Sequence, residues 1–231
     1  MSNINILNVI KKRDRRCNNL KRNEIIDIIE KLKIEHPEAK CSLDFTTPFE
    51  MAVAVILSAQ CTDERVNKIT PELFKKYKTL EDYDSVKIEE FEKAIYSCGF
   101  YKNKAKNIKS LAKTLIEDFN GKLPEDIEKL VKLPGIGRKS ANVIMLEAFN
   151  KPVGIAVDTH AKRISNRLGL SKEKDPTKIE KDLLKIVPME YLKDVNHLFV
   201  FHGRKICKSQ NPECKKCPIR DYCKFFKSKK G

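Results

Sequence analysis

The chain has 231 residues, 41% of them hydrophobic and 34% charged, with a net charge of +15 at pH 7. That is enough apolar material for one large core or two small ones, and no apolar run approaches the roughly 20 residues a membrane helix needs. The opening MSNINILNVIKKRDRR puts its basic residues after its apolar patch and offers no small-residue cleavage site, so a secretory signal is not expected.

Helix follows helix along the chain, without strand pairs. From Asn23, NEIIDIIEKLKIE sets Ile25, Ile29 and Leu32 on one face. PFEMAVAVILSAQ is apolar nearly all round, as a buried helix is. TDERVNKITPELFKKY starts at a cap, Thr62 or Asp63, and Pro71 is expected to kink or interrupt it. EEFEKAIYSC places Phe91 beside Ile95. NKAKNIKSLAKTLIEDF carries Ile108, Leu111, Ala112 and Leu115 on one stripe and is closed by Asn120-Gly121. EDIEKLVK, RKSANVIMLEAF, DTHAKRISNRLGL, DPTKIEKDLLKIV and YLKDVNHLFVFHG complete an all-α chain with short connections.

The positive charge sits at the ends. Residues 1–22 carry seven Lys/Arg against one Asp, and residues 201–231 carry ten against two acids, which leaves the body nearly neutral. Basic ends on a neutral body point to a polyanion, nucleic acid first. Two solvated tails are the alternative.

Two of the chain's eight glycines fall within LPGIGRKSANVI, residues 133–144. Gly135 and Gly137 allow positive φ and close backbone approach, and Pro134 stiffens the turn. The helix that follows starts with unpaired N–H groups and the positive pole of its dipole, a site for an anion such as a DNA phosphate. An ordinary connection between two helices reads equally well from the turn alone. Arg138 and Lys139 tip the balance. A cation in the first turn opposes the dipole, so Lys139 calls for a reason: phosphate binding with Arg138, or nucleophilic chemistry. An amine attacks a sugar carbon only when neutral, and a helix N-terminus, neighbouring cations and partial burial all favour the neutral form.

CKSQNPECKKCPIRDYC gathers Cys207, Cys214, Cys217 and Cys223 with spacing C-x6-C-x2-C-x5-C. So short a segment cannot build its own core, so a metal must organise it. Four thiolates suit zinc or a [4Fe–4S] cluster, and the single CxxC with two close outer cysteines favours the cluster. A disulfide pair ranks third, without a secretion signal.

LPGIGRKSANVI, together with VDTHAKRISNRLGL and LSAQCTD, resembles the helix-hairpin-helix of the endonuclease III family of DNA glycosylases, from about Asp44 onward. The resemblance implies a two-domain all-α fold. Residues 41–151 would form a helical barrel with the hairpin at about 125–149. Residues 1–40 plus 152–231 would form a discontinuous domain ending in a [4Fe–4S] loop at 207–223. It implies a base-excision repair glycosylase with AP lyase activity, acting as a monomer inside the cell on duplex DNA that holds a damaged base or an abasic site, with no membrane. Oxidised or ring-damaged pyrimidines are the expected substrates.

The residues carry over one by one. Lys139 matches the family nucleophile, and Asp158 its carboxylate, although Asp158 alone reads as a helix cap. Gln60 and Phe100 occupy the places of residues that fill the hole left by the flipped base. Gln60 also reads as a helix-end residue, and Phe100, larger than the aliphatic residue expected there, also reads as core. Gly135, Gly137 and Arg138 would contact phosphate, as would Lys208, Lys215, Lys216 and Arg220 of the cysteine loop. His160 reads as structural, and Asp63 as a cap. Rivals are a sister glycosylase acting on mismatches or alkylated purines, branches that generally lack the lysine, and a non-catalytic DNA-binding protein with a zinc loop.

Overall fold

A computed structural model describes residues 15–228. The basic segment at residues 1–22 lies largely outside them, as do the last three residues. Among the described residues every regular element is helical. The chain divides into two compact units, one running from Cys41 to Val153 and the other joining the residues up to Lys40 with those from Gly154 onward.

The contiguous unit is built around α2 (Pro48–Ser58), whose stretch from Met51 to Leu57 is buried throughout. Such a helix has no polar face to offer water, so it must be wrapped. α3 (Asp63–Lys76), α6 (Tyr101–Asp118) and α8 (Arg138–Glu147) pack against it. The Thr47 side chain and Glu50 form a reciprocal capping box at the start of α2, with Pro48 at the first helical position. Two short helices, α4 (Leu80–Ser85) and α5 (Ile88–Ala94), pack on α6. Tyr83 meets Phe49 and Phe91 edge to face, with centroids 5.0 and 5.7 Å apart. α7 (Ile127–Leu130) is a single turn capped by Asp126.

In the discontinuous unit, α1 (Arg15–Glu35) packs Ile25, Ile28, Ile29 and Leu32 against α10 (Pro176–Ile186) and α11 (Leu192–Lys205). α9 (Thr159–Leu168) lies on α11 and on the last helix, α12 (Lys224–Ser228).

Three expectations change. Pro71 does not interrupt α3, which runs on to Lys76. Thr70 and Leu73 on either side of it are buried, and that packing outweighs the local cost of the proline, about 3 kcal/mol. The cap of α3 is Thr62, whose hydroxyl accepts from the Arg65 N–H, while Asp63 is the first helical residue and accepts from the Ser42 hydroxyl at 2.5 Å. EDIEKLVK forms one turn instead of a longer helix, because the chain passes into a tight turn at Leu130–Leu133 before Pro134.

Candidate active site

Gly135 takes φ +77°, and a Cβ there would lie 3.0 Å from Asn107 Cβ and 3.1 Å from Ile56 Cδ1. Glycine is therefore required twice, by conformation and by space. Gly137 is different. It is extended (φ −90°, ψ 176°) and open around its Cβ position, so the expected positive φ is not found there. Its part is to start α8 without a side-chain cap, while its carbonyl accepts from the Ala141 N–H at 2.9 Å. Gly135→Ala is expected to destabilise the protein by about 1–3 kcal/mol, and Gly137→Ala by clearly less. Denaturant midpoints of the two variants check the contrast.

Arg138 and Lys139 open α8, which has no acidic residue in its first turn. Arg138 Nη1 pairs with Glu128 Oε1 at 3.1 Å across the hairpin. Lys139 is exposed, so the partial burial expected for it is absent. It stands on the outer side of the first turn, whereas Ala141 and Asn142 turn inward.

In the other unit Asp158 is the N-cap of α9 and accepts from the Ala161 N–H at 2.8 Å. Its approach segment is held by buried Asn196, whose Oδ1 accepts from the Ala156 N–H at 2.7 Å and whose Nδ2 donates to the carbonyls of Gly154 and Leu192. No sequence signal marked Asn196. His160 is structural as expected: its Nδ1 lies 3.0 Å from Arg163 Nη2, and its ring occupies the space a Cβ at Gly203 would need.

Gln60 and Phe100 lie on separate loops of the contiguous unit. Both are non-glycine residues with positive φ, 54° and 46°. Phe100 is 64% exposed, which removes the core reading. Its aromatic neighbourhood is also open, since the ring of Tyr101 lies 4.8 Å from that of Tyr96, itself largely exposed. Between the loops sits buried Lys104, whose ammonium donates to the carbonyls of Leu57 and Cys98. Nothing in the sequence distinguished Lys104 from the neighbouring lysines of α6.

Cys207, Cys214, Cys217 and Cys223 are free thiols lining one small cavity with Arg167, Ile206 and Phe225. Among the described residues no three such side chains are arranged around a single metal ion. α9 braces the loop through two arginines. Arg163 Nε donates to the Cys207 carbonyl at 2.8 Å, and Arg167 donates to the carbonyls of Lys208 and Ser209 and, at 3.3 Å, to the Cys207 sulfur. Burial pushes the Cys217 thiol up to about 12. His202, pushed down to about 4 by burial and by His36, faces Cys217 at 3.4 Å in its neutral form.

The loop cations are less free than expected. Lys208 and Lys216 both pair with Glu213, and Arg220 donates to the Lys215 carbonyl at 2.8 Å. The short loop folds back on itself, and its single glutamate falls within reach of both lysines. Lys215 is exposed.

Two helices, α7 and α8, joined by a glycine turn give the helix-hairpin-helix architecture of a class of DNA repair proteins. The chain belongs to the HhH-GPD superfamily of base excision DNA repair proteins, whose model matches residues 53–189, and within it to the endonuclease III family. Endonuclease III of Bacillus subtilis is 49% identical over 197 residues, 85% of this chain and 90% of that protein. The Escherichia coli K12 endonuclease III is 40% identical over 200 residues, 87% of this chain and 94% of that protein. Among solved structures, a trapped covalent endonuclease III–DNA intermediate with an estranged adenine matches with a TM-score of 0.85 at 44% identity, covering 91% of this chain and 99% of that one. The chain is a DNA glycosylase of base excision repair with AP lyase activity.

Proposed function

We propose that this enzyme removes oxidised or ring-damaged pyrimidines from duplex DNA through an imine formed at Lys139. The observation that carries the reading is the placement of Lys139: exposed, in the first turn of α8, directly behind a turn that only glycine can make at residue 135. The uncapped start of α8 offers N–H groups and a positive pole to a DNA phosphate, which brings the sugar to the lysine.

The damaged nucleotide leaves the stack, and Gln60 and Phe100 fill the space it vacates. The Lys139 amine attacks C1′ as the base departs. Asp158, held rigidly as the cap of α9, stabilises the positive charge that develops and assists proton transfer. The imine between Lys139 and C1′ acidifies the C2′ proton, and β-elimination breaks the strand 3′ to the lesion. A neighbour trapped as a covalent intermediate supports the same route here.

The four cysteines fit a [4Fe–4S] cluster better than zinc. Four thiols free of disulfides line one cavity, the single CxxC has its two outer cysteines close by, and Arg167 lies against the Cys207 sulfur where it offsets negative charge. Bound there, the cluster supplies no step of the reaction. It fixes a coreless loop that displays Lys215 and its neighbours to phosphate. The enzyme acts as a monomer, inside the cell, where its DNA is.

Borohydride trapping tests the reading. A duplex with one oxidised pyrimidine is expected to give a covalent protein–DNA band, and an undamaged duplex none. A band with an abasic duplex but with no oxidised pyrimidine would remove the substrate assignment. No band with either would remove the imine.

A further inference from the structure

Lys104 is 4% exposed and lies in the first turn of α6, where the helix dipole opposes a cation. Burying an ammonium is costly, and an apolar side chain would fill a core position more cheaply. What the ammonium does is specific. Its Nζ donates to the Leu57 carbonyl at 2.8 Å and to the Cys98 carbonyl at 2.6 Å, while its backbone N–H donates to the Phe100 carbonyl at 3.2 Å. Leu57 belongs to the last turn of α2, three residues before Gln60. Cys98 is two residues before Phe100.

Both loops are strained in the same way. Gln60 and Phe100 hold positive φ without being glycine, with Gly99 at φ +62° between Cys98 and Phe100. Such backbone persists only where its surroundings impose it. We infer that Lys104 is a positioning residue: one buried ammonium ties the Gln60 loop to the Phe100 loop, so that the two side chains enter the duplex as a single unit. The inference deepens the proposed function and rests on its reading of Gln60 and Phe100.

Lys104→Met keeps the length of the side chain and removes the donor. The test compares two substrates, a duplex with an oxidised pyrimidine and a single-stranded oligonucleotide with an abasic site. In the single strand no partner base has to be held apart. The duplex rate of Lys104→Met is expected to fall roughly tenfold further than its single-strand rate, about the loss of one charge-assisted hydrogen bond. Equal losses on the two substrates mark a merely structural lysine and overturn the inference.

Gln60→Ala and Phe100→Ala are measured alongside. If neither moves the ratio of duplex to single-strand rates, the reading of these two residues falls, and the inference with it. If both move it and Lys104→Met does not, the inference falls alone. Should Lys104→Met not fold, the Gln60→Ala/Phe100→Ala double variant decides. Two side chains on one anchor give losses that do not fully multiply, and losses that multiply in full overturn the link.

Discussion

Lys139→Gln is expected to give no borohydride-trapped product on an abasic duplex and to lower nicking on the order of 10³-fold or more, the scale of losing a nucleophile. Glutamine keeps most of the side chain's length and can still donate a hydrogen bond to phosphate, but has no amine to form an imine. Duplex affinity is therefore expected to change little, because Arg138 and the open start of α8 remain in place. Gel-shift and trapping assays on the same DNA separate the two effects. A trapped band of wild-type strength in Lys139→Gln would assign the imine to another amine and end the case for Lys139. The exposure of Lys139 makes the fold insensitive to the change, so the variant is expected to unfold at the wild-type midpoint.

The second large effect is expected at the cysteine loop. Cys214→Ala should yield protein without the broad visible absorption of an iron–sulfur cluster and with a melting temperature lowered by about 10 °C or more. Within residues 207–223 Ile219 alone is buried in the core of the unit, while Cys207, Cys217, Tyr222 and Cys223 are half-buried against it, so a bound group would supply much of what holds the segment. Without a bound group, the four thiols would be left around a cavity, and the loop would rest on the carbonyls that Arg163 and Arg167 engage. Cys41→Ala, in the other unit, is the control that should keep the absorption. Wild-type protein that is colourless and carries one zinc ion per chain would replace the cluster with a mononuclear site.

What the sequence displayed was mostly local. The all-round apolar α2, the Asn120-Gly121 stop and the Asp158 cap each depend on residues a few positions apart, and each is in place. The hairpin could be read because Gly135 and Lys139 share one short turn. What could not be read depends on partners distant in the chain. Lys104 looks like the other lysines of α6 until Leu57 and Cys98 are brought to it. Asn196 acquires its role from a segment forty residues earlier. Phe100 was ambiguous for the same reason, since hydrophobicity does not say whether a loop aromatic turns inward, and this one is exposed. Pro71 shows the reverse: a strong local signal overridden by burial on either side of it.

The unit that holds Asp158 and the cysteines is assembled from both ends of the chain, while the unit with the hairpin is continuous. During synthesis from the ribosome the continuous unit has all its contacts available once Val153 has emerged. Helix α1 must wait, with Ile25, Ile28, Ile29 and Leu32 uncovered, until α10 and α11 have been made. The four clustered cysteines follow α11 in the chain. A chain stalled before α10 would carry a complete hairpin and Lys139 yet leave α1 without the helices that cover it. Such a fragment exposes the apolar face of α1, the kind of surface on which chaperones and proteases act.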